Sequence, residues 1–127
     1  MNEINDDRNE FANRLEIHRA IEINKHFDKL VKLFQEALQV NLNFFQELLD
    51  DKQDFQHLLG TIQELHTLCN DVKHTFQKIY SNSTHHLGSL LLYGLFEKTL
   101  LNRTENNSYL MRGQELRTHL MHKNFLK

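Results

Sequence analysis

The sequence predicts an all-α fold, an antiparallel bundle of about four helices. Three observations predict it. From Phe55 to Ile79 the apolar residues Phe55, Leu58, Ile62, Leu65, Cys69, Val72, Phe76 and Ile79 recur at steps that alternate three and four. Such an unbroken heptad seam marks a helix that packs along another helix. Proline is absent and glycine occurs only four times in 127 residues, so long helices meet few breakers. Apolar residues make up 39% of the chain, enough to fill the core of one domain of this length. The expected division is a flexible, polar N-terminus at 1–10 and a single helical-bundle domain at 11–127.

The first helix is expected over about 11–49. Its seam is Phe27, Val31, Phe34, Leu38, Asn41, Phe45 and Leu48. A second seam, Leu30, Leu33, Ala37, Val40 and Phe44, lies beside it. Two adjacent seams make an apolar face wide enough for two neighbours. Asn41 is the polar member of the first seam. It either fixes register from a buried position or reaches water at the seam's edge.

Asp50-Asp51-Lys52-Gln53-Asp54 is short, polar and rich in N-cap residues. So short a break makes the first two helices antiparallel neighbours. The second helix, about 54–80, carries the long seam. Ser81-Asn82-Ser83-Thr84 is the next break, with Ser83 or Thr84 expected as the cap. The third helix, about 85–101, is apolar nearly all round from Leu90 to Phe96. Gly88 and Gly94 lie six apart on it, where they either permit close helix approach or simply weaken the helix. Asn102 to Asn107 is the third break. The fourth helix, about 108–125, presents Leu110, Met111, Leu116, Leu120 and Met121.

Short loops between four helices give an up-down-up-down order. The first helix would run about 60 Å at the standard rise, more than twice the third. The long pair therefore has apolar surface that the short pair cannot cover, which predicts a partner protein or a second copy. No internal repeat or low-complexity segment is visible.

Charge and composition narrow the function classes. A net charge of −2 with 25% charged residues disfavours nucleic-acid binding through a basic face. The N-terminus lacks the basic and apolar regions of a secretory signal. The most apolar run, Leu87 to Phe96, is too short to span a bilayer. The single cysteine, Cys69, sits on the seam, where it serves as a small apolar group and makes a poor nucleophile. A reducing cytoplasm is the simplest home. Asn82-Ser83-Thr84, Asn102-Arg103-Thr104 and Asn106-Asn107-Ser108 match the glycosylation acceptor pattern, which loop composition also produces.

Nine histidines are the unusual feature. His18, Glu22 and His26 are four apart and share a helix face, a spacing able to ligate a metal. The expected topology also brings His74, His85, His86, His119 and His122 toward the same end. Relative to the first seam, however, His18, Glu22 and His26 take outer positions. The paired Glu-x-x-His motif of di-iron bundles is missing; Asp71-x-x-His74 is a single partial substitute. Solvated surface histidines are therefore expected, with no cofactor.

Arg117-Thr118-His119-Leu120-Met121-His122 resembles the Arg-x(4–6)-His motif of HEPN-type ribonucleases, which are also helical bundles. That resemblance implies that Arg117 steadies a phosphate and His122 acts as acid or base on RNA. His85-His86-Leu87-Gly88-Ser89, followed by Gly94, is similar to the phosphoacceptor region of histidine phosphotransfer domains. It implies a four-helix phosphorelay module.

The leading expectation is a non-enzymatic helical interaction module: an adaptor, chaperone, inhibitor or immunity-type protein. It would bind a partner protein through Leu30, Leu33, Val40 and Phe44, the outer seam of the first helix. The alternatives are the HEPN-like ribonuclease using Arg117 and His122, a metal bundle using His18, Glu22 and His26, and a phosphotransfer bundle.

Overall fold

The computed structural model describes residues 2–50, 52, 54–102 and 108–125. The chain forms α1 (Asn2–Leu48), α2 (Phe55–Asn82), α3 (Leu87–Thr99) and α4 (Ser108–Phe125), with no strand among the described residues. The all-helical bundle holds. Two boundaries move. α1 begins at Asn2, so helix takes in most of the segment expected to be loose; Met1 lies outside the described residues. α3 begins at Leu87 because its cap is His86, not Ser83 or Thr84: the imidazole Nδ1 accepts from the Ser89 N–H at 3.2 Å. Ser83 instead closes α2, its N–H donating to the Ile79 carbonyl at 2.8 Å. Most of the third break, residues 103–107, lies outside the described residues.

α1 and α2 form the expected antiparallel hairpin. Asp54 caps α2 by accepting from the N–H groups of Gln56 at 3.1 Å and His57 at 3.4 Å. Across the turn, His57 Nε2 lies 2.7 Å from Glu47 Oε1. α3 and α4 form a second hairpin, held close by two glycines. Gly94 lies against Leu110 and Gly113 against Leu91, with no room for a β-carbon. Gly88 lies under the Phe27 ring in the same way.

The second hairpin docks on the first through aromatic rings. Phe34 of α1 meets Phe96 of α3 edge-on at 6.1 Å. Phe76 of α2 stacks on Tyr93 of α3, with centroids 4.0 Å apart. Tyr109 of α4 completes the cluster against Phe76 at 5.0 Å and Tyr80 at 5.6 Å. Arg112 donates to the Tyr80 hydroxyl at 2.7 Å. The bundle is thus hairpin laid on hairpin, not four equal staves.

Burial corrects the seams of α1. The inward stripe takes alternate members of both predicted seams: Ile23, Phe27, Leu30, Phe34, Ala37, Asn41 and Phe44, again at steps of four and three. Ile23, Leu30, Phe34 and Ala37 are buried, and the other three are half-buried. Leu38 and Phe45 of the first seam are exposed instead. On α2, Leu58, Cys69, Val72, Phe76 and Ile79 are buried as the long seam predicts. Phe55 and Ile62, near the turn, are exposed.

The lengths explain this asymmetry. α1 has 47 residues and α2 has 28, about 70 Å and 42 Å of helix. α3 has 13 residues, about 20 Å. It covers the C-terminal half of α2 and the middle of α1; the C-terminal end of α1 has only α2 beside it, and the N-terminal end runs on past α2.

Candidate interaction surface

The face that carries α3 continues past it toward the hairpin turn. On α2, Phe55, Ile62, Cys69 and Phe76 recur at seven-residue steps and form one stripe. Its far end, Phe76, packs on Tyr93. On α1, Leu38 and Phe45 prolong the line of Phe34, which packs on Phe96. Side chains in these stripes are covered where α3 lies over them and open where it stops. Phe45 is 55% exposed and Phe55 75% exposed, with Leu38, Leu42, Leu59 and Ile62 exposed beside them. A contiguous apolar face of this kind marks an interaction site more than scattered exposed leucines do. At the turn Asp50 and Asp54 stand beside Lys52, and Glu47, about 200° round α1 from Phe45, is engaged by His57 at 2.7 Å.

The predicted contact residues fall unevenly on this face. Leu30 is 0% exposed in the core, so no partner can touch it; this corrects its assignment to an outer seam. Leu33 is half-buried and packs against the core cluster. Phe44 is half-buried, its ring leaning on Phe45 at 5.8 Å, while Val40, also half-buried, lies about 140° round α1 from Phe45. Sequence reasoning missed Leu42, Phe45, Phe55 and Ile62 as surface residues. Three of them belong to good heptad seams, and periodicity alone cannot tell a covered seam from an open one.

The chemical alternatives gain no geometry. His18, Glu22 and His26 line a shallow groove near Asn82 together with Arg19, and Lys25 pairs with Glu22 at 3.9 Å. Among the described residues no group of three or more His, Cys, Asp or Glu is arranged to hold a metal ion. His122 lines a groove on α4 with Met111, Gln114, Thr118 and His119, and Arg117 is not part of it. Five residues along a helix turn a side chain about 140° away, which separates the two. His85 and His86 precede α3 instead of riding on it: His85 bonds to Thr84 Oγ1 at 2.7 Å, and His86 is the cap. His85, Arg112, Glu115 and His119 do share one groove beside Leu90, so the gathering of histidines is only partial. Burial pushes the Cys69 thiol up, against the opposing pull of Lys73, and an unionised buried thiol is a poor nucleophile. Burial pushes His86 down, which keeps its ring neutral and Nδ1 able to accept.

A family model described as TmcB, TPR repeats matches residues 1–124. The chain belongs to this TPR family. No curated protein and no solved structure matches it. TPR repeats are helix–turn–helix units of about 34 residues whose stacked hairpins build protein-binding surfaces. The hairpin-on-hairpin plan fits that architecture, and α3 with α4 is close to one repeat in length. The repeat is hidden in the sequence because the first hairpin is about twice the size of the second. As a TPR chain, the molecule is a helical protein–protein interaction module. No helix among the described residues is long and apolar enough to cross a membrane.

Proposed function

We propose that this TPR chain is a non-enzymatic adaptor that docks another protein chain on the open apolar face at the α1/α2 turn. The observation that carries this reading is the continuity of the face. The stripes that hold α3 run on, uncovered, through Phe45 and Phe55. Phe44, half-buried against the Phe45 ring, borders the face; Val40 lies about 140° round α1 from Phe45, and Leu30 belongs to the core.

The test is capture of bound protein, read by native mass spectrometry after gentle purification from the host. Phe44→Asp places charge at the margin. Phe45→Asp places it at an exposed position and keeps the result clear of folding defects. Retention of bound protein should fall at least about tenfold, the scale of a modest interface residue. Folded variants that keep their bound protein at wild-type levels would show that this face is not the docking surface.

A further inference from the structure

We infer that the open face at the α1/α2 turn takes an amphipathic α-helix of another protein, laid in the groove between α1 and α2 and end to end with α3. This names the class of partner for the face proposed above and rests on that reading. The ground for it is what the same groove already holds. On α1, Phe34, Leu38 and Phe45 lie within about 40° of one another round the helix. On α2, Phe76, Cys69 and Ile62 lie within about 40° as well. At one end of these stripes Phe34 receives Phe96 edge-on at 6.1 Å, and Phe76 stacks on Tyr93 at 4.0 Å. α3 enters with a ridge at three-residue steps, Leu90, Tyr93 and Phe96, all buried. α3 ends at Thr99. Beyond it the same two stripes go on with Leu38, Phe45 and Ile62 exposed. The open segment thus continues an interface that already seats a helix.

The chemistry of the groove selects a helix over an extended segment. Its open part is lined by Leu38, Phe45, Phe55 and Ile62, none of which can bond a backbone group. An extended chain would turn a share of its N–H and C=O groups onto these side chains, at about 1–3 kcal/mol for each one left unsatisfied. A helix satisfies its backbone internally and presents only side chains to the groove. The length of the opening suits the same occupant. From Leu38 to Leu48 α1 rises about 15 Å, close to three turns, so the incoming helix needs an apolar ridge of about 11 residues at steps of three and four. The rim sets the rest of its chemistry. Gln35, Gln39 and Gln46 lie about 80–120° round α1 from Phe45, and His66 and Asn70 lie about 40–80° round α2 from Ile62. No Asp, Glu, Lys or Arg stands among these five. A rim of this kind offers no charge to steer a partner. The partner helix is therefore flanked by uncharged polar residues, and its binding responds little to salt.

Site-specific photocrosslinking of the whole chain in its host tests the inference. The photoreactive residue p-benzoylphenylalanine replaces Leu38 or Phe45, one at a time, with circular dichroism to confirm folding. The two positions are about 10.5 Å apart along α1. Both should cross-link to one segment of one other protein, at sites about seven residues apart, because a helix rises 1.5 Å per residue. The yield should change less than about twofold between low salt and about 0.5 M salt. The same residue at Glu36, exposed and half a turn round α1 from Phe45, should not reach that segment. Sites about three residues apart, the spacing of an extended chain, overturn the helix and leave the adaptor reading standing, as do sites scattered without a common segment. Cross-links into a second copy of this chain overturn the partner named here. A folded chain that cross-links to no protein from either position overturns both readings.

Discussion

Gly94 sets the distance between α3 and α4. A β-carbon there would stand 2.5 Å from Leu110 Cβ and 2.6 Å from Leu110 Cα. Backbone cannot yield as a flexible side chain does, so Gly94→Ala forces the second hairpin apart. The expected cost is about 1–3 kcal/mol, the usual penalty of overpacking. Gly60 is the control. It lies inside α2 with nothing within 4 Å of a built β-carbon. Gly60→Ala should stabilise by about 0.5–1 kcal/mol through helix propensity alone. Opposite signs in urea melts check the pair together. His86 supplies a second prediction at this scale. Burial lowers its pKa from the ordinary 6.5, so between that folded value and 6.5 the unfolded chain binds more protons. Stability is then full above 6.5 and falls as pH drops through that window. Replacement by asparagine, His86→Asn, keeps a capping side chain but removes the titration. The difference between wild-type and variant Tm should therefore change on acidification below 6.5, with the wild type losing more. Equal losses in both would place the pH response elsewhere.

The helices depend on one another through the aromatic cluster. Phe76 lies parallel to Tyr93, 2° from coplanar, and edge-on to Tyr109, so a single α2 residue contacts both helices of the second hairpin. A double-mutant cycle of Phe76→Leu and Tyr93→Leu should give a coupling of about 0.5–1.5 kcal/mol beyond lost area. Phe96, 0% exposed and edge-on to Phe34, anchors α3 to α1. Phe96→Ala should cost about 3–5 kcal/mol and uncouple the hairpins. Loss of the near-ultraviolet tyrosine signal ahead of helical circular dichroism would reveal the uncoupling. Neither helix of the second hairpin approaches the long α1/α2 pair in length, so that pair has the larger self-contained interface.

For the whole molecule, the unequal hairpins decide where function falls. α3 fills one stretch of a long apolar face and stops, and α1 extends past α2 at the other end. Dynamics should follow the same division. Amide exchange from Phe11 to Ile21, all exposed, should be fast, and at Leu30 and Ala37, both 0% exposed, slow. Exchange in that stretch as slow as in the core would mean that something covers it.

The sequence alone makes legible the helical class, the antiparallel first pair, the polar break rich in N-cap residues and the seam of α2. These follow from spacing and cap chemistry, which act within a few residues of chain. It also carried the excess length of the long helices, from which an uncovered surface follows. It did not determine which of two adjacent stripes of α1 turns inward. Stripes one residue apart differ by about 100° of rotation, and both read as apolar seams. Only the docking of α2 and α3 put Leu30 and Ala37 inside and left Phe45 outside. Nor did it reveal His86 as a cap or separate Arg117 from His122. The first depends on where the preceding turn ends, and the second on the helix phase at which α4 meets α3. The tertiary structure decided these because burial is a property of neighbours, and the neighbours come from distant parts of the chain.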